Sequence, residues 1–183
     1  MKPLRILALL FFCCASAAAT AQASAELQSV PFLDVQRYLG RWHEIARFPN
    51  RFQQKCVGDT SADYSLRPDG TLSVLNQCRL SNGQMEQALG VARQIGGQQS
   101  AKLQVRFAPA WLSFLPVVWG NYWVIDLDEH YELVAVSEPR REYLWILSRT
   151  PTVDEARYRA LIARLQAMGL DVSKLQRSVR SAQ

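Results

Sequence analysis

Past residue 40 the chain breaks into short runs in which apolar and polar positions alternate. Turn residues interrupt these runs every ten or so positions, the spacing of an all-β sandwich or barrel. The runs lie at 41–48, 57–66, 71–79, 84–94, 101–107, 119–126, 131–137 and 142–149. A period of two places alternate side chains on opposite faces, so each run predicts a strand with one face turned to a core. Arg67-Pro68-Asp69-Gly70 is the clearest link, since proline presets a turn and glycine accepts a positive φ. Asn82-Gly83 and Glu138-Pro139-Arg140 mark further turns, and 126–129 separates two more runs. The period then changes. Thr152 and Glu155 have the spacing of a capping box, Leu161, Leu165 and Met168 share one helical face, and Gly169 supplies a stop. The order is eight strands, one amphipathic helix and a polar tail. Short turns imply antiparallel neighbours, and both a closed barrel and a two-sheet sandwich satisfy the pattern.

A chain of 183 residues has room for one domain with a sizeable core. The first 25 residues follow a different rule: Lys2 and Arg5, an apolar run from Ile6 to Cys14, then small residues ending in Ala23-Ser24-Ala25. This predicts a secretory signal peptide over 1–25, cleaved before Glu26, with 26–183 as the single mature domain. The apolar run is shorter than the ~20 residues needed to span a bilayer. An acylated cysteine normally follows a small residue, whereas Phe12 and Cys13 precede Cys13 and Cys14, so cleavage to a soluble form is the expectation. Loss of Lys2 and Arg5 takes the formal charge from +5 to +3, too weak and dispersed for a nucleic-acid partner. Cys56 and Cys78 then remain, and an even, small number in an oxidising compartment suggests one disulfide. The two histidines, His43 and His130, are far apart, and no metal site or cofactor is expected.

Gly40-Arg41-Trp42 lies within GRWHEIARFPNRF, and Arg149 within YLWILSRTPT just before the helix. ADYSLRPDGTLSVLNQC and GNYWVIDLDEHY lie between them. In this order, over about 32–176, the segments resemble the lipocalin family, of the bacterial outer-membrane type related to apolipoprotein D. The resemblance implies an eight-stranded antiparallel up-and-down β-barrel with the helix packed outside. It also implies a non-enzymatic role: binding, storage or transport of fatty acids or lysophospholipids in the bacterial cell envelope, in membrane maintenance under stress. The expected location is the periplasm, in association with the outer membrane. Two other readings stand beside it: an enzyme on the same barrel using a reactive thiol, and a protein-interaction module with a filled interior.

In such a barrel the first strand starts where the eighth ends, so Trp42 and Arg149 fall at one end, where the guanidinium can lie over the indole; the resemblance assigns that end, with Gly40, to the closed structural floor. The connections at 49–56, 80–83, 108–118 and 138–141 then fall at the open end. Cys56 and Cys78 sit near that mouth on neighbouring segments, so a Cys56–Cys78 bridge is expected, with two free thiols as the alternative. Taking Trp42 as inward places Glu44, Ala46 and Phe48 on the same face, and taking Arg149 as inward adds Leu147 and Trp145. The resemblance assigns Tyr64, Asn76 and Trp145 to pocket-lining positions. Val74 shares the face of Asn76, and Leu103, Val105 and Phe107 supply the fifth strand. Tyr122 and Trp123 cannot both face inward; Trp123 is the choice. The expected lining is therefore Glu44, Phe48, Tyr64, Val74, Asn76, Leu103, Val105, Phe107, Trp123 and Trp145, with Glu44, Asn76 and Tyr64 able to orient a polar group. At the mouth, Arg51, Phe52, Trp111, Phe114, Arg140 and Arg141 combine apolar and basic character suited to a head group or membrane surface. A homodimer contact is the alternative use of the apolar loop.

Overall fold

The computed structural model describes residues 26–181, so the expected signal peptide lies outside the described residues. Eight strands follow one another: β1 (Gly40–Arg47), β2 (Cys56–Leu66), β3 (Leu72–Leu80), β4 (Met85–Gln94), β5 (Lys102–Arg106), β6 (Gly120–Leu127), β7 (Leu133–Ser137) and β8 (Leu144–Ser148). Each pairs antiparallel with the next, and β1 pairs with both β2 and β8. The sheet therefore closes on itself as an up-and-down barrel, and the sandwich alternative is set aside.

Two apolar clusters divide the wall between its faces. Trp42, Tyr64, Leu72, Val74, Ala92, Leu103, Val124, Val136 and Leu147 pack inside. Ile45, Ala46, Trp123, Ile125, Ala135 and Ile146 pack outside, against Tyr158, Leu161 and Leu165 of helix α1, Glu155–Ala167. The helix starts differently from the expected capping box. Asp154 is the N-cap, its carboxylate accepting from the amides of Ala156 and Arg157. Thr152, two residues earlier, only lends its carbonyl to the Thr150 hydroxyl. Gly169, at φ +81°, ends the helix as expected.

Two features at the chain ends had no counterpart in the sequence pattern. A four-residue helical turn, Val35–Tyr38, capped by Asp34, carries Tyr38 and the preceding Leu33 under the barrel, where both are buried. At the other end, a two-residue strand β9 (Gln176–Arg177) pairs with Arg47 and Ala46 of β1. The β1–β2 ladder runs only from Gly40↔Tyr64 to His43↔Ser61, and above it the two strands diverge. The tail enters that gap: the Ser178 amide donates to the Ile45 carbonyl and the Asp59 amide to the Val179 carbonyl, both at 2.9 Å. Gly58 permits this approach, since a Cβ there would sit 2.6 Å from the Val179 carbonyl oxygen.

Candidate functional site

The floor of the barrel is closed by aromatic rings. Trp42 is fully buried, and the Arg149 guanidinium lies 4.0 Å above its ring centre, a contact of about 0.5–2 kcal/mol. Arg149 also donates to the carbonyls of Arg37 (2.7 Å), Arg41 (2.9 Å) and Tyr131 (3.2 Å), tying the N-terminal turn to the base. Gly40 meets one demand here, a φ of +90° that an L side chain rarely adopts. Above Trp42, three tyrosine hydroxyls form a chain, with Tyr122 2.7 Å from Tyr38 and 2.9 Å from Tyr64. Burial pushes the Tyr64 hydroxyl up to about 12 and raises those of Tyr38 and Tyr122 well above the usual range. These groups stay neutral and act as hydrogen-bonding struts.

The inner wall changes character with height. Leu72, Val74, Ala92 and Leu103 are buried in its lower part. Higher on the same faces, Asn76 and Val105 are half-buried, and Ala88, which pairs with Asn76, is exposed. Phe107 continues the inward face of Leu103 and Val105, lies on the Gly90 backbone, and is 44% exposed. Inward-facing side chains that solvent reaches describe a bowl, packed below and open above. On the opposite wall Trp145 is half-buried and donates its indole N–H to Gln53 Oε1 at 2.9 Å. Gln53 in turn donates to Glu44 at 2.6 Å. Glu44 is buried and also accepts from the Arg47 guanidinium and, through the gap, from the Ser178 hydroxyl. Its oxygens are thus engaged by the protein, and the polar groups nearer the bore are Arg47, Gln53 and Asn76.

Three of the expected residues lie elsewhere. Phe48 packs outside with the helix, because a bulge between Glu44 and Ala46 turns both Ile45 and Ala46 outward and shifts every later residue by one. Trp123 also faces outward, beneath the helix; Tyr122 is the inward member of the pair. Arg141, at φ +57°, turns from the mouth and donates through Nε to the Met168 carbonyl at the C-terminal end of α1, where a cation is favoured. Arg47, Gln53 and Tyr143 along the bore, and Tyr38 beneath it, are residues that periodicity did not find.

At the rim, Phe52 (64% exposed) leads to Tyr143, 5.6 Å between ring centres, and Tyr143 stacks on Trp145 at 5.7 Å. Arg51 lies over Phe52, and Arg140 is paired with Glu142 at 3.0 Å. Trp111 and Phe114 stand exposed on the β5–β6 connection. The Cys56–Cys78 disulfide is formed, joining the start of β2 to the upper part of β3. This pair therefore offers no free thiol for covalent chemistry. Among the described residues no cluster of three histidine, cysteine or carboxylate side chains could hold a metal ion.

Known proteins share this sequence and shape. The lipocalin-like domain family matches residues 33–180. Temperature-induced lipocalin-1 of Arabidopsis thaliana is 44% identical over 158 residues, 85% of this chain and 84% of that protein. The outer membrane lipoprotein Blc of Escherichia coli K12 is 42% identical over 142 residues, 77% of this chain and 76% of its own. Apolipoprotein D of Mus musculus is 34% identical over 149 residues, 78% and 74% of the two chains. Among solved structures, insecticyanin from Manduca sexta superposes with a TM-score of 0.65 at 22% identity, covering 85% of each chain. With that breadth of match laid over a closed barrel pinned by Gly40, Trp42 and Arg149, the chain belongs to the lipocalin family.

Proposed function

We propose that the bore takes a single-chain lipid, a fatty acid or lysophospholipid, and that the protein stores or moves such lipids in the cell envelope. Membership of the lipocalin family supports the coarser statement that it binds a small hydrophobic ligand. The observation that carries the finer reading is the gradient along the inner wall. Buried aliphatic groups (Leu72, Val74, Leu103) give way to an open upper section bounded by Phe107, Trp145 and Asn76. An acyl chain entering that section gains about 0.8 kcal/mol per CH₂ removed from water, and its head group remains at the rim. There Phe52 and Tyr143 extend the aromatic wall, and Arg51 adds positive charge for an anionic head, whereas Arg140 is paired with Glu142. The naming of the Escherichia coli relative as an outer membrane lipoprotein supports an envelope location, and a part in membrane upkeep under stress belongs to the same proposal.

Native mass spectrometry of the protein isolated from its own envelope tests this directly. Co-purified fatty acid or lysophospholipid is the expected result. Delipidated protein should then bind a fluorescent fatty acid, and Trp145→Ala should weaken that binding about tenfold, for the loss of roughly 50 Å² of apolar contact. A delipidated protein that takes up neither probe nor lysophospholipid would overturn the proposal in favour of an interaction module.

A further inference from the structure

The connection from β5 to β6 leaves the rim and covers part of the outer wall, away from the bore. Two arginines lie on the Trp119 indole there, Arg93 with its guanidinium carbon 4.0 Å from the ring centre and Arg106 at 5.3 Å. The indole N–H donates to the Ser113 carbonyl at 2.8 Å, closing the connection on itself. Arg93 donates to Gln104 Oε1 at 2.9 Å. Arg106 is 7% exposed; it reaches the Ala108 carbonyl, but its Nε is buried with no acceptor. Among the described residues neither guanidinium has a carboxylate partner, unlike Arg41, Arg79, Arg157 and Arg164 on other parts of the wall. A cavity of about 250 Å³ opens beside them, lined by Arg93, Gln104, Ser113, Phe114, Pro116 and Trp119. Beyond it, Trp111, Phe114 and Val117 are 73%, 74% and 87% exposed.

Two cations without carboxylate partners share one ring, the exposed Arg93 on the cavity's lining and the buried Arg106 off it, and an anion at Arg93 balances their charge. The guanidinium fork matches phosphate oxygens. Exposed aromatic and aliphatic side chains bordering basic ones are the composition of a surface that meets a bilayer at head-group depth. We propose that this outer wall is a second lipid site, separate from the bore. The phosphate of an anionic membrane phospholipid sits by Arg93 and Gln104, with the Arg106 charge on the same ring, while Trp111, Phe114 and Val117 enter the acyl boundary. The inference does not depend on what the bore holds.

Co-sedimentation of the purified chain with phosphatidylcholine vesicles, with and without phosphatidylglycerol, tests it. Comparing variants with their parent cancels any contribution from residues 1–25. The parent should partition more strongly onto the phosphatidylglycerol vesicles. Arg93→Gln, at an exposed position, should lower that partition about fivefold, one surface cation's worth, and leave the phosphatidylcholine value unchanged. Phe114→Ser should lower both about tenfold. Neither should change the melting midpoint or the affinity of a fluorescent fatty acid in the bore. Parental partition of Arg93→Gln overturns the proposal. So does displacement of the parent from vesicles by soluble glycerol phosphate, which would make the site one for free phosphate. A Phe114→Ser variant that converts a dimer to a monomer without altering vesicle binding would assign the loop to a second copy instead.

Discussion

Ala88 faces the bore and is nevertheless exposed. Replacing it with tryptophan therefore puts a large side chain into space that the protein itself does not occupy. The added group takes the room of about five methylene units, and at ~0.8 kcal/mol for each one denied to an acyl chain the binding loss is about 4 kcal/mol. That is about a thousandfold in Kd. The folded protein should hardly notice, since surface changes usually stay within about 0.5 kcal/mol and tryptophan suits a strand. Displacement of a fluorescent fatty acid gives the affinity, and a circular-dichroism melt gives the stability. Lost binding with an unmoved midpoint is the expected pair of results. A midpoint lowered by many degrees would mean that side chains already fill the upper bore. Unchanged affinity would mean that the ligand does not pass β4. Either outcome refutes the bowl.

Arg149→Met keeps the aliphatic stem but removes the donors to three carbonyls and the cation over Trp42. It should cost about 2 kcal/mol, read as a lower unfolding midpoint with fatty-acid affinity intact. Asp59 is held at about 2, below its ordinary 3.8, first by the Ser181 hydroxyl and then by Arg79. The stability it lends the tail is therefore complete above 3.8 and fades as pH falls toward 2; the Ser181 amide chemical shift should follow that titration and lose it in Asp59→Asn. Tyr64, raised from 10.0 to about 12 by burial, acts in the opposite sense, stabilising fully below pH 10 and losing its contribution as pH climbs to 12. The melting midpoint should fall across that interval. Tyr122→Phe, which strips the other two hydroxyls of their shared partner, should already be weaker by about 3 kcal/mol at neutral pH.

The strand runs, the floor and the disulfide were legible because their causes are local or follow from strand order. Gly40 is required by its φ, and Trp42 and Arg149 meet because β1 begins where β8 ends. Inward and outward assignments failed where alternation itself failed. The bulge at Ile45–Ala46 adds one residue without adding a turn, so Phe48 changes face with no mark in composition. Tyr122 and Trp123 are adjacent aromatics, and only the position of the helix, which buries Trp123 from outside, separates them. Arg141 and Gln53 take their places from loop geometry, a left-handed residue and a single helical turn respectively, and hydropathy is blind to both. The tail read as polar because its ordering comes from backbone bonds and from Glu44 and Asp59, without an apolar stripe.

That tail also completes the wall. The gap above the β1–β2 ladder is sealed by residues 176–181, so a chain in which this segment is not yet in place has two bare ribbon edges where Ile45 and Asp59 await their partners. Unpaired edges invite intermolecular pairing, and pairings between distant parts of a chain form slowly. A polypeptide built this way gains from being kept unfolded until the 176–181 segment is free to pair. For the same reason, an affinity tag joined directly after Ser181 would tug at the stitch that completes the wall.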